Sequence, residues 1–512
     1  MSTDPSHLIS KRAASRSALH FTNIPSSGAP KGFKPHPKPL ALSYGMPNHG
    51  FFPIDSIDVN LVERPFQTTT ATSSLPQVDK LSLTGSENGQ QTKTPPSSLN
   101  TLPSVHISRH TDDPKLIDLA RGLQYANVEG HAPLLQFTKN FITRTHKPNY
   151  EDWTTLISNG ASDGLNKAAD ALLDPGDVVL VEEFTFSPFL RFSGNAGAIA
   201  VPVKIDLSND SDGIDYDALV QQLDNWEKDH PDLPKPKALY TIATGQNPTG
   251  FTQSLEFRKK VYALAVKHDF AIIEDDPYGY LTLPKYRKPT VGEPKVDEIT
   301  IDDYLENDLT PSYLEIDTTG RVVRIETFSK LFAPGLRLGF VVGHTKVITA
   351  IKNYSEVVNR GASGLTQTIV NNVIQDNFNG VDGWLEWILK MRLNYSYRKD
   401  LLLYSIFESE AYKKGYVDII DPKAGMFVTL KVNLPENVNV VEKMKLLLFK
   451  LISVGVLVVP GYNMTVDLEF SKDRSNFFRL CYAPANNDDE ILESGKRLTQ
   501  GVYEFFENGL EF

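Results

Sequence analysis

Lys330 stands in ETFSKLFAPGLRLGF, directly after a strand-like run and among Phe328, Leu331 and Phe332. Partial desolvation by such neighbours lowers an amine's pKa and leaves it neutral, as a nucleophilic or Schiff-base lysine requires. IIEDDPYGYL closes another apolar run with Asp275 and Asp276, and Tyr278 follows three residues after the first carboxylate. A carboxylate at the base of a pocket can keep a pyridine nitrogen protonated, and a nearby phenol can hydrogen-bond a ring oxygen. Taken alone, the acidic pair serves equally as a metal site, a helix cap or a turn. TGQNPTGF supplies Asn247 in a segment that by itself is first of all a turn. ISNGASDGL places Gly160, Ala161 and Ser162 just before a predicted helix, whose free N–H groups make either a phosphate site or an ordinary cap.

Each of these stretches must be held by a frame, and the chain supplies one. From about Asp113 helical and strand-like segments alternate: a helix over 163–173, the strand VVLVEE, the strand ALYTIAT, the amphipathic helix LEFRKKVYALAVKHD, then the strands FAIIEDD and VVRIETFS. Short apolar strands separated by helices predict crossover units and a mainly parallel sheet buried on both faces. The chemical residues fall at strand ends, where open α/β sheets place ligands. A polar insertion, about 283–320, separates two strands. Beyond Arg360 a long helical stretch, GMFVTL, the helix VVEKMKLLLFKLISVG, the strand VLVVP and NFFRLCYA predict a smaller α+β unit. The expected division is an arm and insertion over 1–112, partly contributing to the small unit, a large domain over 113–360 and a small domain over 361–512. Residues 24–40, rich in Pro, Gly and Lys, and 66–105, rich in Ser, Thr and Gln, build no core of their own.

Composition narrows the partners. With 512 residues and a formal net charge of -11, the chain suits small-molecule ligands better than nucleic acid or an anionic membrane. One cysteine, Cys481, rules out an intrachain disulfide and a cysteine-built zinc site, and no metal is expected. No apolar run reaches the roughly 20 residues that span a bilayer. A cytoplasmic location is expected; the basic stretch KRAASRS has the composition of a mitochondrial presequence, against which Asp4 and the following prolines stand.

The order of Asn247, Asp275 with Tyr278, Lys330 and Arg337, with their neighbours, resembles the pyridoxal-phosphate-dependent aminotransferases of fold type I. SNGASDGLNKAADALLDPGD and VEEFTFSPFLR are most similar to the fungal aromatic aminotransferase II branch, and the resemblance covers about Tyr44 to Tyr482. It implies a large domain with a mainly parallel seven-stranded sheet. It also implies pyridoxal 5'-phosphate carried by Lys330 as a Schiff base, the same lysine shuttling the proton between Cα and C4′. Asp275 would pair with the pyridinium nitrogen, and Asn247 and Tyr278 would bond the ring oxygen. Ala161, Ser162, Thr327, Ser329 and Arg337 would hold the phosphate, and Phe186 would stack on the ring. Asp276 matches no catalytic position, while Ala161 and Thr327 each stand where a serine is common. Arg479, in NFFRLCYA, matches the arginine that grips the substrate carboxylate. Gly45, in SYGMPN, matches a substrate-pocket glycine, and Tyr125, in GLQYANVEG, a tyrosine that reaches the partner's phosphate in a homodimer.

The expected reaction is ping-pong transamination of phenylalanine, tyrosine or tryptophan with a 2-oxo acid. 2-Aminoadipate and kynurenine are the alternative donors. The 27 Phe and 20 Tyr of the chain identify no specificity, since cores consume them. β-Elimination or decarboxylation would use the same lysine and aspartate. A ligand-sensing transcription regulator would need a basic helix-turn-helix unit, and residues 1–110 offer no pair of periodic helices.

Overall fold

The computed structural model describes residues 4–17, 29–34, 36–38, 45–62, 65, 103–293 and 299–512. Tyr44 and most of the Ser/Thr-rich stretch 66–105 lie outside these residues. Two short strands, β1 (Ile57–Asn60) and β2 (Ser104–Ile107), pair antiparallel. The buried side chains of β2, Val105 and Ile107, pack against Leu119 and Val373.

Seven strands among the described residues form the large sheet: β3 (Trp153–Ser158), β4 (Val178–Glu182), β5 (Ile199–Val203), β6 (Pro236–Thr241), β7 (Ala271–Asp275), β8 (Val322–Thr327) and β9 (Gly339–His344), in the order β3-β9-β8-β7-β6-β4-β5. The block from β5 to β8 is parallel, and β9 runs antiparallel to both β8 and β3. Every residue of β4, β7, β8 and β9 is buried, as strands covered on both faces are. The sequence reading named β4, β6, β7 and β8; β3, β5 and β9 were not singled out by it.

Helix Ala161–Leu172 shows why the sequence folds this way locally. Leu165, Ala168, Ala169 and Leu172 recur on one face and are buried, and the helix lies over β7, β8 and β9. It starts two residues earlier than the sequence suggests, so Ala161 and Ser162 belong to the first turn itself. Gly160, with φ of 81°, is its cap, a left-handed conformation that a side chain rarely adopts. The N-terminal residues brace the other end of this helix: Ser10 N donates to Ala171 O at 2.8 Å, and Arg12 and Arg16 both pair with Asp170.

A second sheet, β10 (Val417–Ile420), β11 (Phe427–Val432), β12 (Val459–Pro460) and β13 (Phe477–Cys481), is antiparallel throughout in the order β10-β11-β13-β12. It is backed by helices Val440–Ser453 and Asp488–Glu507, the latter packed along the 27-residue helix Val381–Phe407. One apolar core runs from the large sheet into the small one, through Val341, Ile325, Tyr278, Phe427, Val428 and Leu480. Residues from both sheets can therefore meet at a single place.

Candidate active site

That place is the carboxyl end of the parallel strands. β7 ends in Asp275, β8 ends at Thr327 just ahead of Lys330, and the turn after β6 carries Asn247. A cavity of about 160 Å³ is lined by Ala161, Ser162, Phe186, Asn247, Asp275, Tyr278, Thr327, Ser329, Lys330 and Arg337, together with Leu165, Ile242, Pro277 and Pro334. The ten residues in the first group are the ones that the sequence reading assigned to the cofactor, apart from Tyr125.

Asp275 is almost fully buried, and Tyr240 Oη donates to its Oδ2 at 2.7 Å. The other oxygen, Oδ1, is buried without a hydrogen-bond partner. Burial pushes the Asp275 carboxyl up to about 7; the Tyr240 hydrogen bond opposes the rise. A cation placed against Oδ1 would restore ionisation, as a protonated ring nitrogen would. Lys330 is half-buried between Phe328 and Leu331. Burial lowers its pKa, and the Arg337 and Arg479 guanidiniums push the same way.

The anion cradle is local. The first turn of helix Ala161–Leu172 lines the cavity with Ala161 and Ser162, and a helix start favours an anion. Arg337 lies across Gly160 so closely that a Cβ there would meet its Nη2 at 2.6 Å. Thr327 Oγ1 and Ser329 Oγ are hydrogen-bonded at 2.9 Å beside it. Beneath the cradle, Asp163 accepts from Asn159 N at 2.9 Å and from the buried Lys167 at 2.7 Å, which fixes the turn. Three hydroxyls, an arginine fork and free backbone donors suit a phosphate, and the unpartnered Asp275 Oδ1 suits a pyridinium. The residues fit pyridoxal phosphate.

Arg479, on β13, closes the site from the small sheet. Its Nη1 donates to Asn247 Oδ1 at 2.9 Å, its guanidinium lies 4.3 Å over the Phe427 ring, and its Nε has no partner. The two sheets approach closely here because Gly245, at φ 59°, has no side chain: a Cβ would meet Ala424 O at 2.8 Å. Tyr278 packs edge-on to Phe427.

Gly45 and Tyr125 lie elsewhere. Both line a separate surface cleft of about 1090 Å³ with Arg121, His131 and Arg360, and Tyr125 is 72% exposed. Sequence reasoning missed Tyr240, Gln246 and Glu182. Gln246 accepts from Thr249 N and Oγ1 and donates to Glu182 and Phe184 O, so it holds the turn that carries Asn247. Glu182 is pushed up to about 7 by burial. Its one visible signal is a carboxylate ending an apolar strand, the same signal that marks Asp275.

Asp276 serves the frame. Its Oδ1 accepts from Gly279 N at 2.6 Å and its Oδ2 from Arg324 Nη2 at 2.6 Å, which pins the turn between Asp275 and Tyr278. Arg324 is fully buried and also pairs with Glu326 at 2.7 Å and Glu274 at 3.1 Å. Arg324→Met leaves these carboxylates without their shared counter-charge, so it is expected to destabilise the fold by about 3–5 kcal/mol, seen as a lower urea midpoint.

Comparison with known proteins decides the family. The family described as aminotransferase class I and II matches residues 97–495, most of the chain. The chain belongs to it. The aminotransferase is 36% identical to aromatic amino acid aminotransferase 2 of Saccharomyces cerevisiae, covering 92% of this chain and 91% of that protein. It is similar to the crystal structure of the aromatic aminotransferase Aro9 from C. albicans at 74% identity and a TM-score of 0.89, covering 99% of each chain. The kynurenine aminotransferase of Pyrococcus horikoshii, solved in complex with PMP, is 26% identical with a TM-score of 0.61, covering 75% of this chain and 83% of that one. The fold type I architecture with its seven-stranded sheet agrees with the sequence expectation. Among the described residues, no helix of this aminotransferase is long and apolar enough to cross a membrane.

Proposed function

We propose that this aminotransferase uses pyridoxal 5'-phosphate, carried by Lys330, to exchange the amino group of an aromatic amino acid for the oxo group of a 2-oxo acid in two half-reactions. The observation that carries this reading is Lys330 sharing one cavity with Asp275, whose buried Oδ1 has no partner, while Arg479 approaches from the facing sheet. The cofactor supplies a carbonyl that captures the amino group and a ring that takes up the electrons released at Cα. The protein supplies the rest. Arg479 presents a guanidinium fork to the substrate carboxylate, which orients Cα toward Lys330. Lys330 would take the proton from the substrate Cα and deliver it to C4′ of the cofactor. Asp275 would hold the ring nitrogen protonated, and Asn247 and Tyr278 would bond the ring oxygen. Ala161, Ser162, Thr327, Ser329 and Arg337 would hold the phosphate, and Phe186 would pack on the ring.

Preference for phenylalanine, tyrosine and tryptophan is supported by the names of the yeast and C. albicans relatives. The test is single-turnover amination of the loaded enzyme with each donor. The reading expects kcat/KM for phenylalanine to exceed that for 2-aminoadipate and kynurenine, with release of phenylpyruvate. The opposite order overturns the aromatic assignment.

A homodimer follows from the same reading. The exposed Tyr125 and its cleft support a second copy seated there, with Tyr125 reaching the partner's phosphate and Gly45 in its substrate pocket. Residues 113–360 act as the cofactor-binding part and 361–512 as the smaller part that brings Arg479. A cytoplasmic location remains part of this proposal, supported by Asp4 and the prolines that set KRAASRS apart from a mitochondrial presequence.

A further inference from the structure

Tyr240 lies on β6, behind Asp275 as seen from the cavity, and is absent from the cavity lining. It is fully buried. Its ring lies flat on that of Phe189, with centroids 3.7 Å apart and planes 4° from parallel, so the phenol oxygen is held in one place. From there it donates to Asp275 Oδ2 at 2.7 Å. A carboxylate is symmetric and can turn about its last torsion. One fixed donor on Oδ2 removes that freedom and leaves Oδ1 as the buried oxygen without a partner, on a residue that lines the cavity. Of the charged groups that act on Asp275, Asp276 and Arg324 pair with each other at 2.6 Å in the turn below, and Glu182 accepts from Thr241 and Gln246. Burial, and then the neighbouring Asp275, push the Tyr240 pKa well above its ordinary value, so the phenol stays a donor.

We infer that Tyr240 is a positioning residue that aims Asp275 Oδ1 at the ring nitrogen of the cofactor; the inference rests on the reading of Asp275 given above. Tyr240 touches neither substrate nor cofactor and works through the carboxylate alone. Its value is directional: a buried acceptor with no other donor is worth most to a ligand that brings one to that point.

Tyr240→Phe keeps the ring on Phe189 and deletes only the donor. The test is equilibrium binding to the cofactor-free protein, by quenching of tryptophan fluorescence, of pyridoxal phosphate and of its 1-deaza analogue, in which a C–H replaces the ring nitrogen. The wild-type protein prefers pyridoxal phosphate. Tyr240→Phe is expected to weaken pyridoxal phosphate by about ten-fold, the size of one hydrogen bond to an ionised group, while the analogue binds as before. In the loaded enzyme kcat falls and the donor KM holds. Equal weakening of both ligands, or an unchanged preference, overturns the inference. Asp275→Ala separates the two levels: if it abolishes the preference and Tyr240→Phe does not, only the role of Tyr240 falls. If Asp275→Ala keeps the preference, the reading of Asp275 falls with it.

Discussion

Lys330→Ala is expected to abolish measurable transamination while leaving the fold intact and the cofactor still bound. The side chain is half-buried in a turn between strands, and Phe328 and Leu331 stay buried in the core without it. Removing it deletes the only amine among the described residues that line the cavity. The phosphate cradle and Asp275 remain, so affinity persists, but no group then moves the Cα proton. Loss of a positioned acid/base costs about 10²–10⁴-fold in kcat on its own, and loss of the covalent attachment adds to it. Steady-state rates with phenylalanine, together with retention of cofactor through gel filtration, measure both halves. A small primary amine added to the variant is expected to restore part of the rate, since the missing group is an amine and the space it filled stays open. Substantial turnover without any added amine would mean that another residue does this work.

Arg479→Leu produces the second largest effect, and it falls on the substrate. The arginine has one bond to Asn247 and an Nε without a partner, over the face of Phe427. It therefore presents a fork rather than a saturated ion pair. Two charge-assisted hydrogen bonds to a carboxylate are worth about 3–6 kcal/mol together, so kcat/KM for the donor is expected to fall by about 10²–10⁴-fold, mostly through KM. Arg479→Lys keeps the charge and loses the planar fork, and is expected to recover only part of the loss. Neither change alters the affinity for pyridoxal phosphate, which a titration of the cofactor-free variants checks. If KM for phenylalanine were unchanged in Arg479→Leu, the substrate carboxylate would be held elsewhere.

Much of this site was legible because its pieces are local in the chain. Lys330, Ser329, Thr327 and Arg337 lie within eleven residues, and Tyr278 follows three residues after Asp275, the end of one strand. Strands buried on both faces read as continuous apolar runs, which is why β4, β6, β7 and β8 stood out. β3 opens with partly exposed residues, β5 is an edge strand with an exposed first residue, and β9 is a short run between glycines, so none carries that signature. Long-range contacts were not legible in the residues themselves. Arg479 meets Asn247 across 232 positions, and only resemblance pointed to it. Tyr240 looked like one more core aromatic in ALYTIAT. Its hydrogen bond to Asp275 exists because β6 and β7 are neighbours, a fact of topology rather than of local sequence. Gly45 and Tyr125 came from resemblance as well, and they line a cleft apart from the cavity.

The central claim is that Lys330 carries the cofactor, and borohydride fixation tests it most directly. The enzyme loaded with pyridoxal phosphate is reduced, digested and mapped by mass spectrometry. The account predicts a phosphopyridoxyl group on the peptide containing Lys330, and its loss when phenylalanine is added before the reductant. Fixation on a different lysine, or none at all in protein that binds the cofactor, would contradict it.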